Sequence, residues 1–176
     1  MMVSRAAAIL IFVVIITAGC TGKSIDVTSR GMSIAGQVAE IKSEYRLVKA
    51  IISEKSDEFG PDEIDALQDF DYLVGIIIAR LEGMRDADSI DMHDVAALYS
   101  LAMDGYSKAR QVVAAHGDVF SDRQLDELKS FDSEAADVAA RVEYLLDDPS
   151  RERVIRAIEL IPTVLQVGLK LIAMTM

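Results

Sequence analysis

The chain has 176 residues, of which 51% are hydrophobic and 27% are charged, and its formal net charge at pH 7 is −11. So acidic a chain is a poor ligand for nucleic acid, whose phosphates select Lys and Arg, and its charge also opposes broad contact with anionic lipid. The hydrophobic half excludes an intrinsically disordered tail. With three prolines, no tryptophan and no strand-like alternation bounded by turns, the sequence predicts an all-helical domain.

The N-terminal segment 1–19 has the three parts of a secretory signal peptide. Residues 1–5 carry one positive charge at Arg5, residues 6–18 are uncharged and rich in Ile, Val, Leu and Ala, and the small Gly19 precedes Cys20. A basic start, an apolar run of roughly 7–15 residues and a small-residue exit are typical of such a leader. We therefore expect residues 1–19 to be cleaved from the mature chain.

The tetrapeptide TAGC that ends at Cys20 resembles the lipobox of bacterial lipoproteins, although Thr17 stands where Leu is commoner. The resemblance covers only residues 1–20. It implies that the thiol of Cys20 receives a diacylglyceryl group, that signal peptidase II cuts before this residue, and that the new N-terminus is acylated. Thr21 stands where Asp would retain a lipoprotein in the inner membrane. The resemblance thus implies an anchor on the periplasmic side of the outer membrane, with the inner membrane as the alternative.

Cys20 is the only cysteine, so it cannot form an internal disulfide, and an odd cysteine in an exported chain needs an explanation. Lipidation supplies one, because two or more acyl chains anchor a protein stably at about 0.8 kcal/mol per buried CH₂. Two alternatives remain open. In the first, the N-terminal segment stays uncleaved as a membrane anchor, although its uncharged run is slightly short of the ~18–20 residues of a span. In the second, Cys20 is an incidental thiol after an ordinary signal peptide.

The mature chain of about 155 residues is long enough for one domain with its own core. Residues 20–32 are expected to be the lipidated cysteine and a short tether, residues 33–148 a helical bundle, and residues 149–176 a C-terminal hydrophobic helix. This last helix is apolar on most of its circumference but contains Arg156, Glu159, Pro162 and Lys170. Charges at these places disfavour a membrane span, so packing against the bundle is preferred over a position in a membrane interface or on a partner.

Apolar residues at steps of three and four define one face on each of four predicted helices. The first two helices carry Ile34, Val38, Ile41, Tyr45, Val48, Ile52, Phe59 and then Ile64, Leu67, Phe70, Val74, Ile77, Leu81, Met84. Adding 61 to each number gives the other two sets, Val95, Tyr99, Ala102, Tyr106, Ala109, Val113, Phe120 and Leu125, Leu128, Phe131, Ala135, Val138, Val142, Leu145. The sequence therefore predicts an antiparallel four-helix bundle made of two duplicated helical hairpins, 33–87 and 94–148.

The turn of each predicted hairpin carries the pattern F-[GS]-x-x-[EQ]-[IL]. In the second copy Ser121 and Gln124 are placed as a capping box, and in the first copy Gly60 and Glu63 occupy the same positions. Positions whose numbers sum to about 118–120 should face each other across the first hairpin. This predicts an ion pair between Lys49 and Asp71 and, at the equivalent positions of the second copy, a pair between Arg110 and Asp132.

A search for catalytic or metal-binding patterns finds none. His93 and His116 are far apart and have no His or Cys ligand near them in sequence, which disfavours a transition-metal site. The acidic segment 86–94 lacks the Gly and Glu of a calcium loop and is interpreted as a loop with a helix N-cap at Ser89 or Asp91. Met174 and Met176 are interpreted as core or fraying tail. No cofactor, no metal and no catalytic residue is predicted.

The sequence favours a non-enzymatic lipoprotein of the cell envelope that binds or spaces another envelope component. Its expected partners are membrane lipid, through acylated Cys20, and an unidentified envelope protein, with self-association as a further option. One alternative is a phage- or prophage-encoded envelope lipoprotein that acts in superinfection exclusion or as a lysis accessory. An enzyme is the third and least favoured class.

Overall fold

The computed structural model describes residues 24–26, 34–87, 89–115 and 120–175, with side chains from residue 34 onward. The signal peptide 1–19, Cys20, His116 and Met176 lie outside the described residues. Apart from two short strands and a 3₁₀ turn at Ser56–Glu58, the described secondary structure is α-helical, which confirms the all-α class. In chain order the elements are β1 Ser24–Asp26, α1 Ile34–Glu54, α2 Pro61–Arg85, β2 Ser89–Asp91, α3 Met92–Ala115, α4 Asp122–Asp147 and α5 Arg151–Met174.

The predicted apolar faces form the core. Of the positions in the four sets, all but two are buried or half-buried. The exceptions are Ile64, which is 38% exposed, and Leu125, which is 36% exposed. They occupy the same place in the two copies, directly after the hairpin turn. The burial pattern thus repeats from the first copy to the second, including its two exceptions.

The C-terminal helix α5 is the most deeply embedded helix among the described residues, and twelve of its residues are buried. It packs closely against α3 and α4, and it also contacts α1. The α1–α2, α2–α3, α3–α5 and α1–α5 contacts close a ring of four helices, and α4 packs on the outer side of α5. The backbones of α3 and α4 make few close contacts. An apolar C-terminal helix was predicted, and it takes the central place because it is apolar nearly all round, whereas α4 buries only Ala135, Val138 and Val142.

Two glycines allow α5 to approach α3 and the ring of Phe70. A Cβ added to Gly168 would lie 3.3 Å from Cε2 of Phe70 and 3.6 Å from Cβ of Ala109, and one added to Gly105 would lie 3.7 Å from Cδ1 of Leu165. Because a glycine has no side chain, the buried phenyl ring can lie against both backbones. This packing brings three helices together at one aromatic residue.

Pro162 lies inside α5, where its missing N–H removes one helical hydrogen bond and its ring displaces the carbonyl one turn back. Near this proline, the side chain of Gln37 on α1 contacts the backbone of α5, since its Nε2 donates to the carbonyl oxygen of Glu159 at 2.8 Å. This bond is also a polar link between α1 and the central helix.

The predicted helix caps are confirmed. The backbone N–H of Gly60 donates to Glu63 Oε2 at 2.7 Å. The backbone N–H of Ser121 donates to Gln124 Oε1 at 3.0 Å, and the backbone N–H of Gln124 donates to Ser121 Oγ at 3.4 Å. In the acidic segment 86–94, Asp91 caps α3 by accepting from the backbone N–H of His93 at 2.8 Å.

Candidate functional site at the strand end

The two strands pair in antiparallel register, with Ser24 opposite Asp91, Ile25 opposite Ile90 and Asp26 opposite Ser89. Both strands have the sequence SID. Ile90 is 2% exposed and belongs to the hydrophobic core, so β2 is fixed to the helices. We call the end of the bundle that carries these strands the strand end; it holds the first turns of α1, α3 and α5 and the last turns of α2 and α4.

Strand β1 lies within residues 20–32, for which the sequence predicts a short tether after Cys20. Within that range the structure describes a strand at Ser24–Asp26, whose backbone is hydrogen-bonded to β2. The small polar composition of the segment is typical of a tether, but backbone pairing does not depend on apolar side chains. The chain is therefore held to the domain very soon after Cys20, the predicted lipidation site, which itself lies outside the described part.

A surface cavity of about 230 Å³ lies beside the strands, at the junction of α2, β2 and α3. Its lining residues are Arg80, Gly83, Met84, Ala87, Ser89, Ile90 and Asp94. Arg80 Nη1 is 4.0 Å from Asp94 Oδ1 across its rim. The polar side chains of the lining are Arg80, Ser89 and Asp94, and the two charged ones face each other across the rim.

The start of α5 lies at the same end and holds an aromatic–cation contact. The guanidinium carbon of Arg153 is 4.6 Å from the ring centroid of Tyr144, and Arg153 Nη1 is 3.1 Å from Asp148 Oδ2. Arg153 also donates to the backbone carbonyl oxygen of Tyr144. The ring of Tyr144 stays on the surface, and this residue is 70% exposed. The strand end therefore presents a large amphipathic side chain together with a guanidinium.

The predicted ion pairs between helices are confirmed. Lys49 Nζ is 2.9 Å from Asp71 Oδ1, and Arg110 Nε is 2.9 Å from Asp132 Oδ1. A tyrosine repeats beside each pair, since the hydroxyl of Tyr45 donates to the backbone carbonyl of Asp71 at 3.5 Å. At the equivalent place in the second copy, the hydroxyl of Tyr106 donates to the carboxylate of Asp132.

Tyr99 adds a second contact between α3 and α4, because its hydroxyl donates to Glu143 Oε1 at 3.0 Å. Burial, with the neighbouring carboxylate adding to it, raises the pKa of both Tyr99 and Tyr106. The phenols therefore stay protonated and act as donors. Since the α3 and α4 backbones make few close contacts, these long polar side chains bridge the two helices of the second hairpin.

The remaining sequence candidates are not brought together. His93 is exposed, while Met174 is half-buried and packs against the core. Among the described residues there is no group of three or more His, Cys, Asp or Glu side chains that could hold a metal ion. The strand β1 was missed from the sequence, and the repeated SID tripeptide is the signal that could have pointed to it.

One helix of the described chain, α5, is long and apolar enough to cross a membrane by length and composition. Within its most apolar stretch, 61% is buried inside the bundle, as in the core helix of a globular domain. The comparisons with protein families, curated proteins and solved structures find no match for this chain.

Proposed function

We propose that this protein is a lipid-anchored helical module of the bacterial cell envelope, attached through acylated Cys20, which binds or spaces another envelope component without catalysing a reaction. The observation that carries the proposal is the TAGC sequence after a signal-peptide-like segment. It implies an N-terminus with two or more acyl chains, which is the number that stable anchoring requires. A helical domain follows almost immediately.

The described domain supports a binding or spacing role in two ways. The buried side chains of the described residues are apolar, as expected of a core that serves packing. Its helices are 21 to 26 residues long, so the bundle is a rod of about 30–40 Å. A rod of this length attached at one end would hold a partner at a fixed distance from the membrane.

Metabolic labelling tests the anchor. Cells that produce the wild-type chain or Cys20→Ser are grown with a fatty-acid analogue, and the membrane fraction is separated. We expect label and membrane association for the wild type, and an unlabelled precursor or soluble chain for Cys20→Ser. Thr21→Ser is the matched control and should behave as the wild type. A wild-type chain that takes up no label would overturn the proposal.

A second variant tests the sorting that the lipobox resemblance implies. In a host with two membranes, Thr21→Asp should move the labelled protein from the outer-membrane to the inner-membrane fraction of a density gradient. The partner is sought by cross-linking the native lipidated protein in its envelope and identifying the products by mass spectrometry. The same experiment with Cys20→Ser serves as control, because a partner that requires the anchored position should be lost with the anchor.

A further inference from the structure

The position of β1 limits how far the bundle can lie from its anchor. Four Cα–Cα steps separate Cys20 from Ser24, the first residue of β1. Consecutive Cα atoms are about 3.8 Å apart, so Ser24 cannot lie more than about 15 Å from Cys20. Because β1 is paired with β2, and the buried Ile90 fixes β2 to the core, the strand end is the end of the bundle that is held near the anchor.

The opposite end of the bundle lies much farther away. Helix α4 runs from Asp122 to Asp147, its last residue, at the strand end, and a helix of this length spans about 37 Å. A long tether would let the bundle present any surface to the lipid. The paired strand keeps the strand end near the anchor, since only the short segment 21–23 lies between Cys20 and β1.

We propose that the strand end is the membrane-facing surface of this protein and that the bundle stands end-on, with the hairpin turns near residues 60 and 121 presented away from the bilayer. This inference rests on the proposed lipidation of Cys20. The surface that meets the lipid headgroups consists of the two strands, the end of α4 and the start of α5.

The side chains of the strand end fit a lipid headgroup layer better than the net charge of the chain suggests. Several of its acidic groups are engaged within the protein: Asp86 with Arg85 at 2.7 Å, Asp148 with Arg153, and Asp91 as the cap of α3. The exposed ring of Tyr144 lies in the last turn of α4. Tyrosine is enriched at membrane interfaces because its ring is apolar and its hydroxyl is polar.

The orientation is measurable because the lipidated Cys20 leaves no free thiol in the chain. Two single-cysteine variants of the lipidated full chain, Asp147→Cys and Asp122→Cys, place a fluorescent donor at the two ends of α4. The protein is reconstituted in vesicles of phosphatidylethanolamine and phosphatidylglycerol that contain an acceptor headgroup label. We expect strong energy transfer from position 147 and much weaker transfer from position 122, which lies about 37 Å farther along the helix.

Two insertions then test the role of β1 itself. A flexible Gly/Ser segment of about 12 residues, with a root-mean-square span of about 20 Å, is placed between Lys23 and Ser24 or between Thr28 and Ser29. The insertion before β1 should lower the transfer from position 147 toward that from position 122. The insertion after β1 should leave both values unchanged, because β1 still holds the strand end close to the lipid.

The outcomes separate the two proposals. Equal effects of the two insertions, or equal transfer from the two labels in the uninserted chain, would refute the end-on orientation while the lipid anchor stands. A chain that carries no lipid and does not bind the vesicles would refute the anchor and the orientation together. Circular dichroism of each variant checks that its helix content matches the wild type, so that a change in transfer reports position.

Discussion

At the scale of single residues, the two copies of the hairpin share polar contacts as well as apolar positions. The pairs Lys49–Asp71 and Arg110–Asp132 occupy equivalent positions in the two copies and have the same N···O distance of 2.9 Å. All four side chains are at least a third exposed, so each pair contributes about 0–1 kcal/mol. Their main effect is on the register of the two helices of each hairpin, because each pair links the helix edges at one level along the helix axes.

Substitutions of glycine by alanine should have opposite effects at two positions of the bundle. Gly168→Ala puts a methyl group 3.3 Å from the buried ring of Phe70. Such overpacking costs about 1–3 kcal/mol of stability. The better helix propensity of alanine offsets about 1 kcal/mol of that cost. Gly75→Ala is the matched control, since no atom lies within 4 Å of its added Cβ. We expect Gly168→Ala to lower the free energy of unfolding and Gly75→Ala to raise it by about 0.5–1 kcal/mol. Urea denaturation measures both, and a stabilised Gly168→Ala would contradict this packing.

At the scale of elements, the helices differ in how they are held. The central helix α5 is covered by apolar contacts, whereas α4 buries few residues and reaches α3 through Tyr99, Tyr106 and Arg110. Regions with few buried apolar contacts open locally at lower free energy than the core. Helix α4 should therefore be the first of the described helices to open.

Removing the tyrosine hydroxyls should loosen α4 selectively. In the double variant Tyr99→Phe and Tyr106→Phe, two donors to carboxylates of α4 are lost, at a cost of about 1 kcal/mol each. We expect faster amide hydrogen exchange in α4, with little change in α1 and α2. Tyr45→Phe is the matched control, because its hydroxyl makes only a long bond to a backbone carbonyl. Exchange that accelerates equally in all helices would mean that the bridges do not hold α4 in particular.

Local patterns made most of these elements predictable. The period of the apolar residues identified the core faces, and the cap residues and the ion pairs followed from helix geometry and the internal repeat. The central position of α5 was not predictable, because its apolar circumference shows that the helix is covered but not which helices cover it. Strand β1 was missed because so short a segment has no measurable period, and its partner Ser89–Asp91 lies beyond two intervening helices in the chain.

At the scale of the whole molecule, the features to consider are the net charge of the chain and its proposed position relative to the membrane. The proposed cleavage after residue 19 would remove one charged residue, Arg5, so the chain that remains would have a formal charge of −12 rather than −11. Like charges destabilise a compact state through mutual repulsion. The end-on orientation would spread this charge along a rod that points away from the bilayer.

The stability of the protein should rise as the pH falls from neutral toward the ordinary pKa values of Asp and Glu, about 4. Burial raises the pKa of Glu44, Asp71 and Asp104, so the folded state binds more protons than the unfolded state between the ordinary and raised values. The free energy of unfolding therefore falls with rising pH through that interval, and general charge repulsion acts in the same direction. Urea midpoints measure the trend, which the triple variant Glu44→Gln, Asp71→Asn and Asp104→Asn should flatten. A midpoint that falls steadily on acidification to about pH 5 would show that other groups dominate.

The intact mass of the native protein, extracted from membranes in detergent, tests the lipid anchor most directly. The anchor predicts a chain that begins at Cys20, with the added mass of a diacylglyceryl group on the thiol and of an acyl chain on the new N-terminus. Fragmentation should place both additions on Cys20. A mass that includes residues 1–19, or a chain that begins at Cys20 with an unmodified thiol, would contradict it.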